Sequence, residues 1–272
     1  MKNIKISVII PTWNSEKTLG ATIKSCLNQT LPPFEVLICD DGSTDNSKEI
    51  IEQINDPRVV WVSSLHSGTP AVPRNNGVKV SKGEWIAFCD SDDEWIPTKL
   101  EKQIHLTEKL KCKVACTNAL IKKNNIITNK TISNWSKNKI SFKNLLHSNE
   151  IVCSSILIHK SIYNNIGGFP EELKYKGFED YLYWLRVTTQ TSVIFMMEPL
   201  VIYDDHPETS IRSNQISDSE IKKLSFYNFT EWVNINEKNL IKTIYFNYCI
   251  NMYKIKQKIL SKIKYLIKSI IK

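Results

Sequence analysis

Residues Trp85-Ile86-Ala87-Phe88-Cys89 form an apolar run of strand length, and the run stops against Asp90-Ser91-Asp92-Asp93. Aromatic and branched residues over this length predict a buried strand. Three carboxylates packed at its end repel one another, so they belong off a sheet edge, where a shared cation offsets them. Hard cations such as Mg²⁺ or Mn²⁺ take oxygen ligands, few of them from protein, and fill the rest with water and substrate phosphate. Open α/β sheets bind ligands beyond the carboxyl ends of their strands. A metal–diphosphate site is one reading of this stretch. The other is that Asp92 or Asp93 starts the helix that follows Pro97, because acids favour helix N-termini.

The segments around it predict the sheet. Lys5 to Ile10 is a first buried strand, broken by Pro11, and Ser15-Glu16 opens a helix to about Gln29. Phe34 to Cys39 is a second strand, ending in Asp40-Asp41-Gly42-Ser43-Thr44-Asp45, with a helix over about 46–54. Arg58 to Val62 is a third strand, and a helix over about 72–81 carries Arg74-Asn75-Asn76-Gly77. Such β-α alternation gives a parallel sheet with right-handed crossovers. Trp13-Asn14, Asp40-Asp41, Gly68 and Asp90 to Asp93 then converge on one edge.

The second half is less regular. It offers a helix at 98–110, strand-like Val114 to Ile121, a polar, Asn/Lys-rich span from 122 to 139, and no recognisable pattern from 122 to 150. A strand is expected from Ser154 to His159, a helix after Phe178, and two strands near 192–196 and 200–204. Beyond 215 the chain reads as helix.

Five segments together resemble glycosyltransferase family 2, the inverting transferases of the GT-A fold. They are Ser-Val-Ile-Ile-Pro-Thr-Trp-Asn at 7–14, Cys-Asp-Asp-Gly-Ser-Thr-Asp at 39–45, Pro-Arg-Asn-Asn-Gly at 73–77, Gly-Glu-Trp-Ile-Ala-Phe-Cys-Asp-Ser-Asp-Asp at 83–93, and Gly-Gly-Phe at 167–169 leading to Gly-Phe-Glu-Asp-Tyr at 177–181. The resemblance implies an α/β, Rossmann-like GT-A domain with a mixed, mainly parallel central sheet over residues 1–215. Residues 216–272 are then a C-terminal helical extension.

It also implies roles. Pro11, Thr12, Trp13 and Asn14 lie where the family binds the base, with Trp13 stacking on it or else packing in the core. Asp41 matches the acid that reads the uracil N–H, unless it caps the next helix, and the two tasks can be split between Asp40 and Asp41. Arg74 matches a nucleotide-proximal arginine, and its alternative is a buried ion pair with Asp41 or Asp90. Asp90 and Ser91 fall at the ribose, Asp92 matches the metal ligand with Asp93 as second choice, and His206 matches a histidine that completes the coordination. Glu179-Asp180 resembles the acidic pair whose Asp takes the proton from the acceptor hydroxyl; the alternative is capping of the helix through Arg186. Inversion of an α-linked donor gives a β-linked product.

The implied donor is a nucleotide sugar, a UDP-hexose first. The acceptor is a glycan or lipid-linked sugar of a surface polysaccharide such as O-antigen, lipooligosaccharide or capsule. Processive members carry Gln-x-x-Arg-Trp after the acidic pair, together with spanning helices. Here the sequence is Trp184-Leu185-Arg186, so a single sugar is added. The rival reading, a nucleotidyltransferase, wants a Gly-rich basic loop where this chain has Pro11-Thr12-Trp13-Asn14.

The net charge of +8 is unevenly placed: Lys254 to Lys272 holds seven Lys and no acid, which leaves 29 of the 36 basic residues against 28 acidic ones. A nucleic-acid binder shows a basic face on its folded domain, and little excess remains for one. The seven Cys are odd in number and lack a Cys-x-x-Cys pair, so reduced, buried thiols are expected rather than zinc. Ile4 to Ile10 is too short for a signal core, and no run reaches the length of a spanning helix. From Ile255 onward apolar residues take one helical face and most lysines the other. Such a helix lies in a membrane interface, or else packs on the domain or on a partner in a homo-oligomer. A cytoplasmic enzyme, peripheral at the inner face of the cytoplasmic membrane, is the expectation.

Overall fold

The computed structural model describes residues 4–205 and 216–270, with side chains described up to 263. In chain order the elements are β1 (Ile6–Thr12), α1 (Leu19–Leu27), β2 (Glu35–Asp40), α2 (Ser47–Ile54), β3 (Val59–Ser63), α3 (Ala71–Val80), β4 (Trp85–Phe88), β5 (Glu94–Trp95) and α4 (Lys99–Leu110). The second half adds β6 (Val114–Lys123), β7 (Ile126–Thr131), β8 (Lys139–Ile140), α5 (Phe142–Leu145), β9 (Leu157–His159), α6 (Lys160–Ile166), α7 (Glu179–Gln190), β10 (Val193–Asp204), α8 (Asp218–Asn236) and α9 (Leu240–Ile270).

The strands form one mixed, mainly parallel sheet in the order β3-β2-β1-β4-β9-β6-β10-β5, with β7 on β6 and β8 on β10. The expected GT-A-type α/β architecture with a helical extension is therefore what the chain builds. The first four strands are parallel and follow the predicted alternation. They are apolar because the central ones, β1, β2 and β4, are buried along their whole length. β9 runs antiparallel to both β4 and β6 and joins the two halves. Gly77 lets α3 lie close on β1 and β2: a Cβ there would stand 2.6 Å from Cys39 Sγ and 2.7 Å from Ile9 Cγ2.

Several expectations needed correction. β1 does not break at Pro11 but pairs on to Thr12 opposite Asp40. The Ile9 carbonyl accepts from Cys89 and the Thr12 carbonyl from Asp41, so residue 11 turns its nitrogen to the side where β4 has ended. No ladder bond is lost there, which is where a strand tolerates proline. The expected strand from Ser154 starts three residues late, because Cys153–Ser155 is a 3₁₀ turn. The two strands near 192–204 are one, with register shifts on either side of Pro199. The polar span after Ile121 holds a hairpin, with Asn124 and Asn125 at φ 50° and 62°. Two consecutive left-handed residues are the two-residue turn that suits strand twist.

α8 and the first half of α9 share the core with α5 and α7: Phe142 lies 4.9 Å from Phe229 and 4.8 Å from Phe246, centroid to centroid. The seven Cys are free thiols, buried except for half-buried Cys112. Among the described residues no helix is long and apolar enough to cross a membrane.

One core residue is out of keeping with its surroundings. Lys99 is fully buried, its Nζ sits 3.9 Å above the Trp95 ring, and it has no hydrogen-bond partner among the described residues. Burial pulls its pKa from 10.5 down to about 7, and nearby Cys89, Cys26 and Cys116 offset this only in part. A lowered lysine pKa means the unfolded chain holds the proton more tightly. The penalty is therefore largest at and below pH 7 and fades as pH climbs to 10.5. We expect Lys99→Met to raise stability by roughly 3 kcal/mol at pH 6. Melting curves from pH 6 to 10.5 check this, and a gain that does not shrink with rising pH would refute the charge explanation.

Candidate active site

At the carboxyl ends of β1, β2 and β4 the loops tie to one another. The Asn14 backbone N–H donates to Ser43 Oγ at 2.9 Å, and its side-chain oxygen accepts from the Thr44 N–H at 2.8 Å. The Ser15 and Ser91 hydroxyls meet at 2.8 Å, and the Ser91 carbonyl accepts from Thr22 at 3.0 Å. Pro11 and Thr12 are buried beneath this rim, while Trp13 is 52% exposed. The Trp13 ring stacks on His66, centroids 4.9 Å apart and planes 26° off parallel. Trp13 is thus a surface platform and not a core residue. His66 was not singled out in the sequence: it is a lone histidine in a loop without a motif.

The two aspartates after β2 divide their work. Asp40 caps the turn, accepting from the Gly42 and Ser43 N–H groups. Asp41 is buried and reaches the other loop: its Oδ1 accepts from the Ser67 N–H at 2.8 Å and the Ser67 hydroxyl at 2.7 Å, and its Oδ2 from the Gly68 N–H at 3.0 Å. His66 Nδ1 lies 3.1 Å from the same Oδ2. A carboxylate has about four lone-pair directions, and donors fill three of them here, while the His66 Nδ1–H bonds to the Asp41 carbonyl at 2.8 Å.

Arg74 joins the distant halves of the chain. Its Nη2 donates to Asp90 Oδ1 at 2.7 Å and its Nη1 to Glu179 Oε1 at 2.6 Å. Its partner is thus Asp90, one of the two anticipated, together with Glu179, which was not anticipated. Opposite charge on both sides holds the buried guanidinium protonated. Its neighbour Asn75 clamps the Gly-Gly-Phe turn, donating to the Phe169 carbonyl and accepting from the Phe169 N–H, each at 2.9 Å. A Cβ at Gly168 would lie 2.3 Å from that Asn75 oxygen, which is why the turn needs glycine. Two motifs read separately in the sequence are therefore one structural unit.

The acidic pair is split as well. Glu179 is buried, spent on Arg74 and on the Gly177 N–H at 2.7 Å. Asp180 is half-buried in the first turn of α7. The Cys153 thiol, pushed up by burial, also feels the charges of Arg74, Asp90, Asp180 and Glu179. The acids at 90 and 179–180 thus border one site.

Asp93 turns inward. It is fully buried, accepts from Ser154 Oγ at 2.5 Å and from the Asp204 N–H at 2.9 Å, and so fastens β10 to the β4 end. Ser154 also accepts from the Asp90 N–H at 2.9 Å. Asp92, next to Asp93 in the chain, is half-buried. Desolvation first, then the charge of Asp90, pushes its pKa up to about 7, and Asp204 adds to this. Asp204 Oδ1 is buried without a hydrogen-bond partner among the described residues, while Oδ2 lies 3.4 Å from Lys122. A half-buried carboxylate facing others, with an orphaned oxygen nearby, fits a divalent cation. The described residues contain no group of three His, Cys, Asp or Glu able to hold one alone. His206 lies outside the described residues.

A raised carboxylate pKa means the folded chain holds that proton more tightly, so stability from this group is present below the ordinary value of 3.8 and is lost as pH rises towards 7. Asp92→Asn should therefore raise the melting temperature at pH 8 and leave it unchanged at pH 4. Mn²⁺ should raise it at pH 8 in the parent and not in the variant. Thermal melts with and without Mn²⁺ check both halves; an Asn variant that melts lower at pH 8 would contradict the repulsion.

Comparison with known proteins agrees with this geometry. The family model for glycosyl transferase family 2 matches residues 7–167. The Escherichia coli protein WfaP, named a UDP-Glc:α-D-GlcNAc-diphosphoundecaprenol β-1,3-glucosyltransferase, is 36% identical over 185 residues, 68% of this chain and 70% of WfaP. WfgD, also from Escherichia coli and named for the same activity, is 32% identical over 193 residues, 71% of this chain and 73% of WfgD. The crystal structure of S. aureus TarS 1-349 in complex with UDP-GlcNAc matches with a TM-score of 0.74 at 20% identity, over 92% of this chain and 71% of that one; this likeness bears on the fold. With the carboxylate-tipped parallel sheet and the acids gathered around Arg74, these matches establish the chain as a glycosyltransferase that belongs to glycosyl transferase family 2.

Proposed function

We propose that residues 1–215 form an inverting, non-processive hexosyltransferase domain that moves one sugar from a UDP-sugar to a lipid-linked acceptor in surface-polysaccharide synthesis, with 216–272 as its extension. UDP-glucose is the donor we favour, because two relatives that cover over two thirds of this chain are named for it. Their names also supply the acceptor class, a GlcNAc carried on a polyprenyl diphosphate. The observation that carries the reading is the double ion pair of Arg74, which brings the Asp90 motif and the Glu179-Asp180 pair to one place.

In this reading the exposed Trp13 ring stacks on the base, a type of contact worth about 1–3 kcal/mol. Pro11, Thr12 and Asn14 shape the floor and rim of that slot. Asp41 reads the uracil N–H through the Oδ2 direction that His66 borders, once that ring, which also bonds the Asp41 carbonyl at 2.8 Å, swings aside. Asp90 and Ser91 receive the ribose. Asp180 accepts the proton of the acceptor hydroxyl as that oxygen attacks C1 from the face opposite the leaving UDP, which forms the new C1–O bond, breaks the old one and inverts the centre. Glu179 holds Arg74 rather than a proton in transit. Asp92 and His206 would hold a Mn²⁺ or Mg²⁺ ion, which would neutralise the diphosphate leaving group; Asp93 is left to its structural bonds.

The test is UDP release from UDP-glucose with Mn²⁺ and a GlcNAc-diphosphate-lipid acceptor, with the anomeric configuration read by NMR. A β-linked product is expected. Retained configuration, or silence from UDP-glucose, UDP-GlcNAc and UDP-galactose alike in a folded sample, refutes the proposal.

A further inference from the structure

α9 has two apolar faces, and the fold uses only one. Phe246, Cys249 and Ile250 are buried, and Tyr253 stacks edge-on with Phe226 and His147 at 5.5 and 5.2 Å. The opposite side carries Ile241, Ile244, Tyr248, Met252, Ile255 and Ile259, each between 46% and 79% exposed. At the α-helical pitch these six lie within an arc of about 80°, and 45%-exposed Ile263 prolongs the stripe. From Lys254 to Ile263 every residue is exposed, so this part of the helix stands clear of the domain. The packing of the apolar face on the domain, left open in the sequence, does not occur over these residues.

Two occupants suit a long apolar stripe on a helix: a second copy of this chain, or a bilayer surface. Charge decides between them. From Asn239 to Lys272 there are eight Lys and not one Asp or Glu. Lys256 and Lys262 flank the stripe on its two sides, and both are exposed. Two such helices laid side by side would bring lysines against lysines with no acid to offset them. An anionic lipid surface accepts the apolar face between its headgroups and the lysines at its phosphates. Exposed Tyr245 and Tyr248 add amphipathic rings of the kind that settle at that depth.

We infer that the stripe from Ile241 to Ile263 is a docking surface for an anionic lipid bilayer, lying in its interface. This rests on the function proposed above and adds the partner and the orientation. The stripe begins on the part of α9 that is seated on the domain, so the domain itself is held at the surface. That seat is the stretch beginning at Phe142, through Phe142–Phe246 and the His147–Tyr253 contact. The same stretch runs on to Ser154, under Asp90 and Asp93. The helix that carries the stripe and the Asp90 end of the site are thereby joined by about a dozen residues of chain, spanning at most ~3.6 Å each.

Flotation of the full chain with vesicles tests this. Binding is expected to vesicles of phosphatidylglycerol mixed with phosphatidylcholine, and to fall at least about ten-fold with pure phosphatidylcholine or on raising NaCl from about 0.1 to 0.5 M, where screening shortens the range of the lysine charges. The triple variant Ile255→Ser, Ile259→Ser, Ile263→Ser lies on the free part of the helix, and should lose flotation while keeping UDP release with a soluble short-chain acceptor. A chain that stays off anionic vesicles yet turns over UDP-glucose overturns the docking surface alone, as does one that sediments as a dimer dissociated by the triple variant. A chain that floats with anionic vesicles but releases UDP from no donor supports the docking surface and refutes the proposed activity.

Discussion

Replacing Asp180 by Asn lowers sugar transfer by about 10²–10⁴-fold, the usual worth of a positioned general base, while the fold and donor binding persist. The change is isosteric and sits at a half-buried position in the first turn of α7, so little packing is disturbed. Glu179 cannot take over, because its two oxygens are engaged by Arg74 and the Gly177 N–H. Turnover should collapse with little change in KM, since the lost interaction belongs to the transition state. UDP titration calorimetry and a melting curve on the same sample separate this from misfolding. A variant that transfers sugar as fast as the parent removes Asp180 from the chemistry.

Arg74→Met is expected to be the most destabilising single change near the site. The guanidinium is buried and opposes Asp90 on one side and Glu179, itself 5% exposed, on the other. Removing one partner of a buried ion pair leaves an uncompensated charge, at a cost of about 3–5 kcal/mol. For a chain of this size the melting point should fall on the order of 10 °C. Adding Glu179→Gln to Arg74→Met removes that stranded charge and should recover part of the loss, so the double-mutant cycle should show clear coupling. Additive effects would mean that Arg74 contributes by volume alone.

The parallel half of the sheet was legible because each strand is a short apolar run closed by a turn signal, and nothing later in the chain overrides it. Both carboxylate motifs were legible for the same reason: Asp41 and Asp90 stand where such runs end. What escaped detection depends on contacts between distant segments. No local pattern shows that Arg74 reaches Glu179, 105 positions away, or that Asn75 closes around Gly168. Asp92 and Asp93 are adjacent and chemically identical. Only the fold reveals that Ser154 and the Asp204 N–H claim one of them. The hairpin at Asn124-Asn125 did carry a signal, since asparagine tolerates the left-handed region, but the lysine- and asparagine-rich surroundings masked it.

The reversed strand β9 has a consequence for how the protein is made. β4 is fully buried and apolar, yet its neighbour on one side is Leu157–His159, which leaves the ribosome some seventy residues later. Until then the nascent chain carries an open, sticky edge, and a truncated product that stops short of residue 157 keeps it permanently. Unpaired edges of this kind recruit other chains. Early termination should therefore yield inclusion bodies rather than a small soluble nucleotide-binding fragment, and slow translation through residues 89–157 should lengthen dependence on chaperones.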